Sequence, residues 1–352
     1  MNQYRIAIYP GDGIGVEVTD AAVKVLKNAQ SRLGGFSLAF ERFGWGCDFY
    51  DQHGEVVPGD FLEVLGGFDA IFLGAIGFPP RLPDHITLAP LIQIRQAFDL
   101  YACVRPAKLP PGVRSPLAKP GPIDLVVVRE NSEGEYVNVG GQFKVDRDDE
   151  VAVQTAVHTR RGVERVLRFS FELAQTRRKK LTMITKSNAQ RFGYVLWDRA
   201  LEKVAGEFAD VETQRLHVDA AAMDFVRRPS EFDVVVASNL FGDILTDLSG
   251  AITGSLGLNA SANLNPPRQH PSLFEPVHGS APDIAGRGIA NPIGAIQSAS
   301  MMLAWLGEED AAATIASGVD EALKAGAMTP DLGGTNTTEQ MTEAIITHID
   351  VR

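Results

Sequence analysis

Short, continuously apolar runs alternate with longer amphipathic stretches along nearly the whole chain. The runs predict strands at Tyr4–Tyr9, Phe36–Phe43, Asp69–Leu73, Ile123–Glu130, Leu181–Thr185, Val211–Val218 and Asp233–Ala237. Val126-Val127-Val128 and Val234-Val235-Val236 show no polar alternation, the pattern of strands covered on both faces. Between the strands the spacing predicts helices over Gly162–Gln175, Arg191–Val204 and Asn239–Leu248. Three more are expected late in the chain, at Asn291–Leu306, Glu308–Ala325 and Thr338–Ile349. Strands and helices alternating at this length predict an α/β fold of parallel or mixed sheets with helices outside.

One stretch breaks this rhythm. Residues 131–150 are polar and glycine-rich, and Val151, Val153, Thr155 and Val157 then alternate with polar neighbours. The pattern fits a projecting arm or hairpin that pairs with a second subunit, and equally a mobile surface loop.

A length of 352 residues predicts two domains. With 45% apolar and 22% charged residues the composition is that of an ordinary globular protein and excludes disorder. No run approaches the roughly 18 apolar residues of a membrane span. The opening MNQYRIAIYPGDG enters a strand directly, without a secretion signal, so the cytoplasm is the expected location. Cys47 and Cys103 form no C-x-x-C pair, which argues against a disulfide framework and a cysteine zinc site. The 33 basic and 44 acidic residues give a net charge of −11, which argues against a nucleic-acid partner.

Several motifs invite misreading. Gly11-Asp12-Gly13-Ile14-Gly15 follows a strand and opens a helix, but its third glycine comes one residue early for G-x-G-x-x-G. A tight strand-to-helix turn explains it better. Arg177-Arg178-Lys179-Lys180 reads as a solvated loop that also complements a helix C-terminus. None of the seven histidines has zinc-site spacing, and neither a Walker A loop nor a G-x-S-x-G elbow is present.

The sharpest chemical feature is Asn239-Leu240-Phe241-Gly242-Asp243-Ile244-Leu245-Thr246-Asp247. Asp243 and Asp247 are four residues apart and share a helix face, with Leu240, Ile244 and Leu248 expected on its buried side. The carboxylates fit either a solvated acidic face or a hard divalent cation such as Mg²⁺ or Mn²⁺. Arg95, Arg105 and Arg129 each flank a structured segment. Singly each fits a structural ion pair; together they suggest a basic pocket for a di-acid. Lys186, directly after a strand, and Tyr136, just past Arg129, are either surface contacts or proton-transfer groups. The segment from Glu275 to Asp283 reads as a loop of small residues whose backbone N–H groups could approach a phosphate, with Asp283 placed to accept from a ribose diol.

These pieces resemble the metal-dependent β-decarboxylating dehydrogenases, the isocitrate/isopropylmalate dehydrogenase family. The matching segments are YPGDGIG, FDAIFLGAIG, VRENSEGEY, KSN, SNLFGDILTDL, SLFEPVHGSAPDIAG and IANPIGAI, in the family's order and over nearly the whole chain. The resemblance implies an isopropylmalate dehydrogenase-like two-domain α/β fold that is not a Rossmann fold. Residues 1–100 and 253–352 would form one domain, and residues 101–252 the other, with an arm over 131–157. It further implies a homodimer with shared active sites. Arg95, Arg105 and Arg129 would hold the substrate carboxylates, with Asn188 and Leu88 also facing the substrate. Asp243 and Asp247, with Asp219 of the neighbour, would bind Mn²⁺ or Mg²⁺, and K⁺ would be a further candidate cation. Lys186 of the neighbour would take the hydroxyl proton, Asp219 would assist, and Tyr136 would protonate the enol. Glu275, His278, Gly279, Ala281, Asp283 and Asn291 would bind the dinucleotide, with Asp283 favouring NAD over NADP.

Within that family Leu88 stands where isopropylmalate enzymes have glutamate, and Ala89 where isocitrate enzymes have serine or threonine. PDHITL, GWGCDFY and SANLNPPRQHPSLFEP resemble the tartrate/D-malate dehydrogenase branch, although that branch usually carries tryptophan at Leu88. Oxidative decarboxylation of D-malate or tartrate is the expected activity, with 3-isopropylmalate as the alternative and a non-catalytic regulatory relative after it.

Overall fold

The computed structural model describes residues 2–349. Its strands are β1 (Asn2–Gly11), β2 (Phe36–Arg42), β3 (Ala70–Ala75), β4 (Ala102–Lys108), β5 (Asp124–Glu130), β6 (Gly140–Phe143), β7 (Val151–Gln154), β8 (Lys180–Thr185), β9 (Glu212–His217), β10 (Val234–Ala237), β11 (Ala260–Leu264) and β12 (Ser272–Pro276). Ten of them form one sheet in the order β2-β1-β3-β12-β11-β4-β5-β10-β8-β9. Two parallel groups, β2-β1-β3-β12 and β5-β10-β8-β9, are joined through antiparallel pairings along β11 and β4. The sheet is therefore mixed, and all seven predicted strands lie in it.

Burial explains the parallel groups. Ile6, Ala7, Ile8 and Tyr9 of β1 and Val234, Val235 and Val236 of β10 are all closed to water, as strands covered on both faces require. The predicted helices form at Arg160–Gln175, Gly193–Ala205, Asn239–Ile252, Ile293–Leu306, Glu309–Lys324 and Thr338–Thr347. The last begins with a reciprocal cap between Thr337 and Gln340. Among the described residues no helix is long and apolar enough to cross a membrane.

The Gly11–Gly15 segment is the tight turn its spacing predicts. Gly11 and Gly13 adopt φ values of 68° and 56°, and a Cβ on Gly11 would stand 1.9 Å from the Ala75 carbonyl oxygen. Asp12 is buried in this turn, accepting from the Cys47 and Gly77 backbone N–H groups at 2.7 and 2.9 Å.

Three expectations need correction. Glu275 and Pro276 are not in a loop but end β12, and the loop begins at Val277. The Arg177–Lys180 run is not simply a solvated loop: Arg177 Nε and the Arg178 backbone N–H donate to Asp233, whose side chain is buried. The run compensates a charge that would otherwise be stranded in the core. Third, β4, β11 and β12 interrupt what reads as a simple alternation. The 131–157 stretch does contain a hairpin, β6–β7, and its Phe143 and Val153 side chains are both 53% exposed.

Candidate active site

The strand register builds the site. Cys103 of β4 lies opposite Arg129 of β5 and Asn263 of β11, and Ser261 of β11 lies opposite Glu275 of β12. Side chains two apart on a strand share a face, so Cys103, Arg105, Arg129, Ser261, Asn263 and Glu275 all stand on one side of the sheet. Helix Asn239–Ile252 covers part of that face. A Cβ on Gly242 would approach the Arg129 Cβ to 2.7 Å, so glycine lets the helix close directly onto β5.

That closure delivers Asp243. Its Oδ1 accepts from Arg105 Nη1 at 3.2 Å and from Arg129 Nη1, and its Oδ2 accepts from the Tyr136 hydroxyl at 2.7 Å. Burial alone would push the Asp243 carboxyl up, but the Arg129 and Arg105 charges outweigh it and hold the group below its ordinary range. Arg105 also donates to Thr246 Oγ1 at 2.7 Å and Ser261 Oγ at 3.3 Å. Burial and the hydrogen bond to Asp243 raise the Tyr136 phenol, keeping it protonated and able to donate.

Arg95, on helix Ala89–Ala97, donates to Glu275 Oε1 at 3.0 Å. Asn263 Nδ2 reaches the same oxygen at 2.8 Å, and Asn131 Nδ2 donates to Asn263 Oδ1 at 2.8 Å. Arg95 Nε and Arg129 Nη2 remain buried without partners. A desolvated guanidinium N–H with no acceptor is costly, so these atoms mark where an anionic ligand would be bound most favourably.

Nine of the sequence candidates line one cleft of about 180 Å³: Leu88, Arg95, Arg105, Arg129, Tyr136, Asp243, Glu275, His278 and Gly279. Leu73, Ile76 and Leu91 complete an apolar wall beside Leu88. The remaining candidates lie outside that lining. Asp247 lies one turn beyond Asp243, partly open to solvent; the partial desolvation of its carboxyl and repulsion from Asp243 raise its pKa. Lys186, directly after β8, donates through Nζ to Asp219 Oδ1 at 2.6 Å in the first turn of helix Val218–Arg227, and Asn188 nearby is exposed. Among the described residues no three His, Cys, Asp or Glu side chains of this single chain converge to hold a metal.

The loop after β12 carries the other candidates. His278 Nε2 is buried without a partner, and burial lowers the imidazole pKa. Ala281 takes a left-handed φ of 39°, and Asp283 is exposed on the turn that follows. Asn291 is buried, donating to Asp331 at 3.0 Å and accepting from the Ile293 N–H at 3.0 Å.

The helix carrying Asp243 requires another correction. Phe241, Leu245 and Ile252 are its buried apolar residues, whereas Ile244 is 57% exposed and Leu240 and Leu248 are half-buried. Apolar side chains surround this helix, so their spacing alone leaves the inward face ambiguous. The sequence pattern assigns no individual role to Asn131, Asn239, Thr246, Ser261 and Asn263, which hold the arginines and Glu275 in place. The available signal was an asparagine or serine inside an otherwise apolar block, as in Ala262-Asn263-Leu264.

The comparisons with known proteins agree on the family. The profile described as isocitrate/isopropylmalate dehydrogenase matches residues 5–345. A probable tartrate dehydrogenase/decarboxylase of Bacillus subtilis (strain 168) is 49% identical over 350 residues, covering 99% of each chain. The D-malate dehydrogenase (decarboxylating) of Escherichia coli (strain K12) is 49% identical over 355 residues, covering 98% of each. Among solved structures, isocitrate dehydrogenase from Methylococcus capsulatus superposes with a TM-score of 0.89 at 37% identity, covering 98% of this chain and 99% of its own.

Proposed function

The chain belongs to the isocitrate/isopropylmalate dehydrogenase family, and on that premise we propose that it oxidises and decarboxylates a (2R)-2-hydroxy di-acid with NAD, D-malate first and tartrate beside it. One observation carries this reading: three arginines, a tyrosine and an aspartate from five separate elements converge on one small cleft. Two of those arginines retain buried N–H groups without acceptors, a fit for carboxylates.

The residues fit the expected cofactors. Asp243 and Asp247 offer an oxygen-only pair whose mutual repulsion a hard divalent cation would relieve. His278 Nε2, left without a partner, and the open space around Gly279 suit a dinucleotide along the loop. When bound, NAD would supply the hydride acceptor, and a divalent cation on Asp243, Asp247 and Asp219 of a second copy would supply Lewis-acid polarisation of the substrate oxygens.

The chain's own groups account for the rest. Arg95, Arg105 and Arg129 fix both substrate carboxylates. Lys186 of a second copy, beside that copy's Asp219, receives the hydroxyl proton as hydride leaves C2. The bond to the C3-linked carboxylate then breaks, CO₂ departs, and its electron pair enters the enolate. Tyr136 returns a proton to C3. Shared sites require a homodimer, and the exposed apolar residues Met223, Val226 and Ile244, with the β6–β7 arm, support one. A division into residues 1–100 plus 253–352 and residues 101–252 accords with the grouping of β1, β2, β3, β11 and β12 at one end of the sheet.

The apolar wall of Leu73, Ile76, Leu88 and Leu91 favours a second reading, in which C3 carries an alkyl group as in 3-isopropylmalate. The test is NAD reduction with Mn²⁺ across D-malate, both tartrate enantiomers, meso-tartrate, 3-isopropylmalate and isocitrate, compared as kcat/KM. Highest turnover on D-malate or tartrate supports the first reading, and a higher value on 3-isopropylmalate supports the second. Inactivity on all of them overturns both.

A further inference from the structure

Asn239 is only 2% exposed and uses both ends of its amide within the site. Its Oδ1 accepts from Arg129 Nε at 2.8 Å. Its Nδ2 donates to the Glu133 carbonyl at 2.9 Å. Glu133 lies three residues before Tyr136, on the segment that leads into the arm. Asn239 also opens the helix that presents Asp243, the acceptor of the Tyr136 hydroxyl. One amide thus ties together an anion-binding arginine, the segment bearing the tyrosine, and the helix bearing their shared carboxylate.

Packing reinforces the connection. A Cβ on Gly134, whose φ is +78°, would come within 3.1 Å of the Asn239 Cβ, so the segment is seated directly on this side chain. Gly134 and Val157 exchange backbone hydrogen bonds at 2.8 and 3.0 Å, which anchors the arm's return at the same point. Only an amide of this length offers an acceptor to the guanidinium and a donor to the carbonyl from one fork. Aspartate keeps the acceptor alone, and serine lacks the reach to serve both.

We propose that Asn239 is a positioning residue that holds the Tyr136 segment in register with Arg129, so that the proton donor faces C3 of the substrate gripped by the arginines. The inference rests on the function proposed above. It assigns Asn239 to the protonation that follows CO₂ loss more than to hydride transfer.

The test separates those two steps in the full-length protein with Mn²⁺: NAD reduction by D-malate, and decarboxylation of oxaloacetate supplied directly, read as formation of pyruvate, which is complete only once C3 is protonated. Asn239→Asp retains the Arg129 contact, so its KM for D-malate is expected to stay within about threefold of the original. Loss of the Glu133 hydrogen bond, with a carboxylate now facing a carbonyl, is expected to slow oxaloacetate decarboxylation about tenfold or more. The decisive readout is a cycle with Tyr136→Phe. If Asn239 acts through Tyr136, adding Asn239→Asp to Tyr136→Phe changes decarboxylation less than about twofold; the same tenfold loss in both backgrounds overturns the proposal. Should Asn239→Asp fail to fold, Asn239→Ser is carried through the same cycle, since it removes the amide without adding charge. Failure of the functional reading is separately visible, because the original chain would then turn over neither substrate. An active original chain with an unimpaired Asn239→Asp variant overturns the positioning role alone.

Discussion

Arg95 and Glu275 stand 180 positions apart in sequence yet form an ion pair at 3.0 Å, their side chains 8% and 7% exposed. Breaking such a pair leaves a charge stranded in low dielectric, which costs about 3–5 kcal/mol. Glu275→Ala is therefore predicted to lose stability of that order in denaturant unfolding at 25 °C. Saturating D-malate should restore more stability to this variant than to the original, because a substrate carboxylate replaces the missing partner. A loss below 1 kcal/mol with equal ligand stabilisation would show that Arg95 does not depend on Glu275.

Asp247→Asn removes one of two neighbouring carboxylates that repel each other. Without divalent cation the variant should be as stable as the original, or more stable by up to about 0.5 kcal/mol. Its kcat at saturating Mn²⁺ should fall about 100-fold or more, because the hard-cation site loses a ligand. Retained Mn²⁺-dependent turnover would remove Asp247 from that site.

Glu130 predicts a pH effect of definite sign. Its buried carboxyl is pushed up to about 6 by desolvation, which outweighs hydrogen bonds from Ser132 and from the Glu133 backbone. The folded state therefore binds a proton more tightly than the unfolded chain, whose glutamate has the ordinary value of 4.5. The ionisation penalty is fully present above pH 6 and disappears as pH falls toward 4.5. Relative to Glu130→Gln, the original chain should gain of the order of 2 kcal/mol across that window. Paired thermal unfolding curves between pH 7 and 4.5 measure it, and a constant difference would contradict the assignment.

Asp283 is exposed on the turn after Ala281, where a carboxylate would accept from a ribose diol and repel a 2′-phosphate. Asp283→Lys should shift the NAD-to-NADP ratio of kcat/KM toward NADP by about tenfold or more. An unchanged ratio would place cofactor choice elsewhere on the loop.

Much of this architecture is legible in the sequence. The valine runs of β5 and β10 announce strands because burial on both faces needs no partner to be known. The spacing of Asp243 and Asp247 announces a shared helix face for the same local reason. Strands β4, β11 and β12 are hidden because Arg105, Ser261, Asn263 and Glu275 break their apolar character, and those residues find their partners only across the sheet and on helices distant in sequence. Likewise, Ile244 cannot be assigned to a face while Leu240, Phe241, Leu245 and Leu248 surround it. Asn239 looks like an ordinary residue near a helix start, and its two partners come from 110 and 106 positions away. What the sequence conceals here is chiefly polar pairing at long range.

The position of β12 between β3 and β11 has a consequence for the protein's synthesis. Strand β3 is complete at Ala75, yet its neighbour is Ser272–Pro276. As the chain leaves the ribosome, the opening β-α unit must wait nearly 200 residues for the strand that covers its open edge. Until then β3 exposes an apolar ribbon, Ala70–Ala75, with unpaired backbone groups, a template for wrong pairing. Expression at lower temperature or with a holdase chaperone should therefore raise the soluble yield, and chains truncated before residue 272 should aggregate.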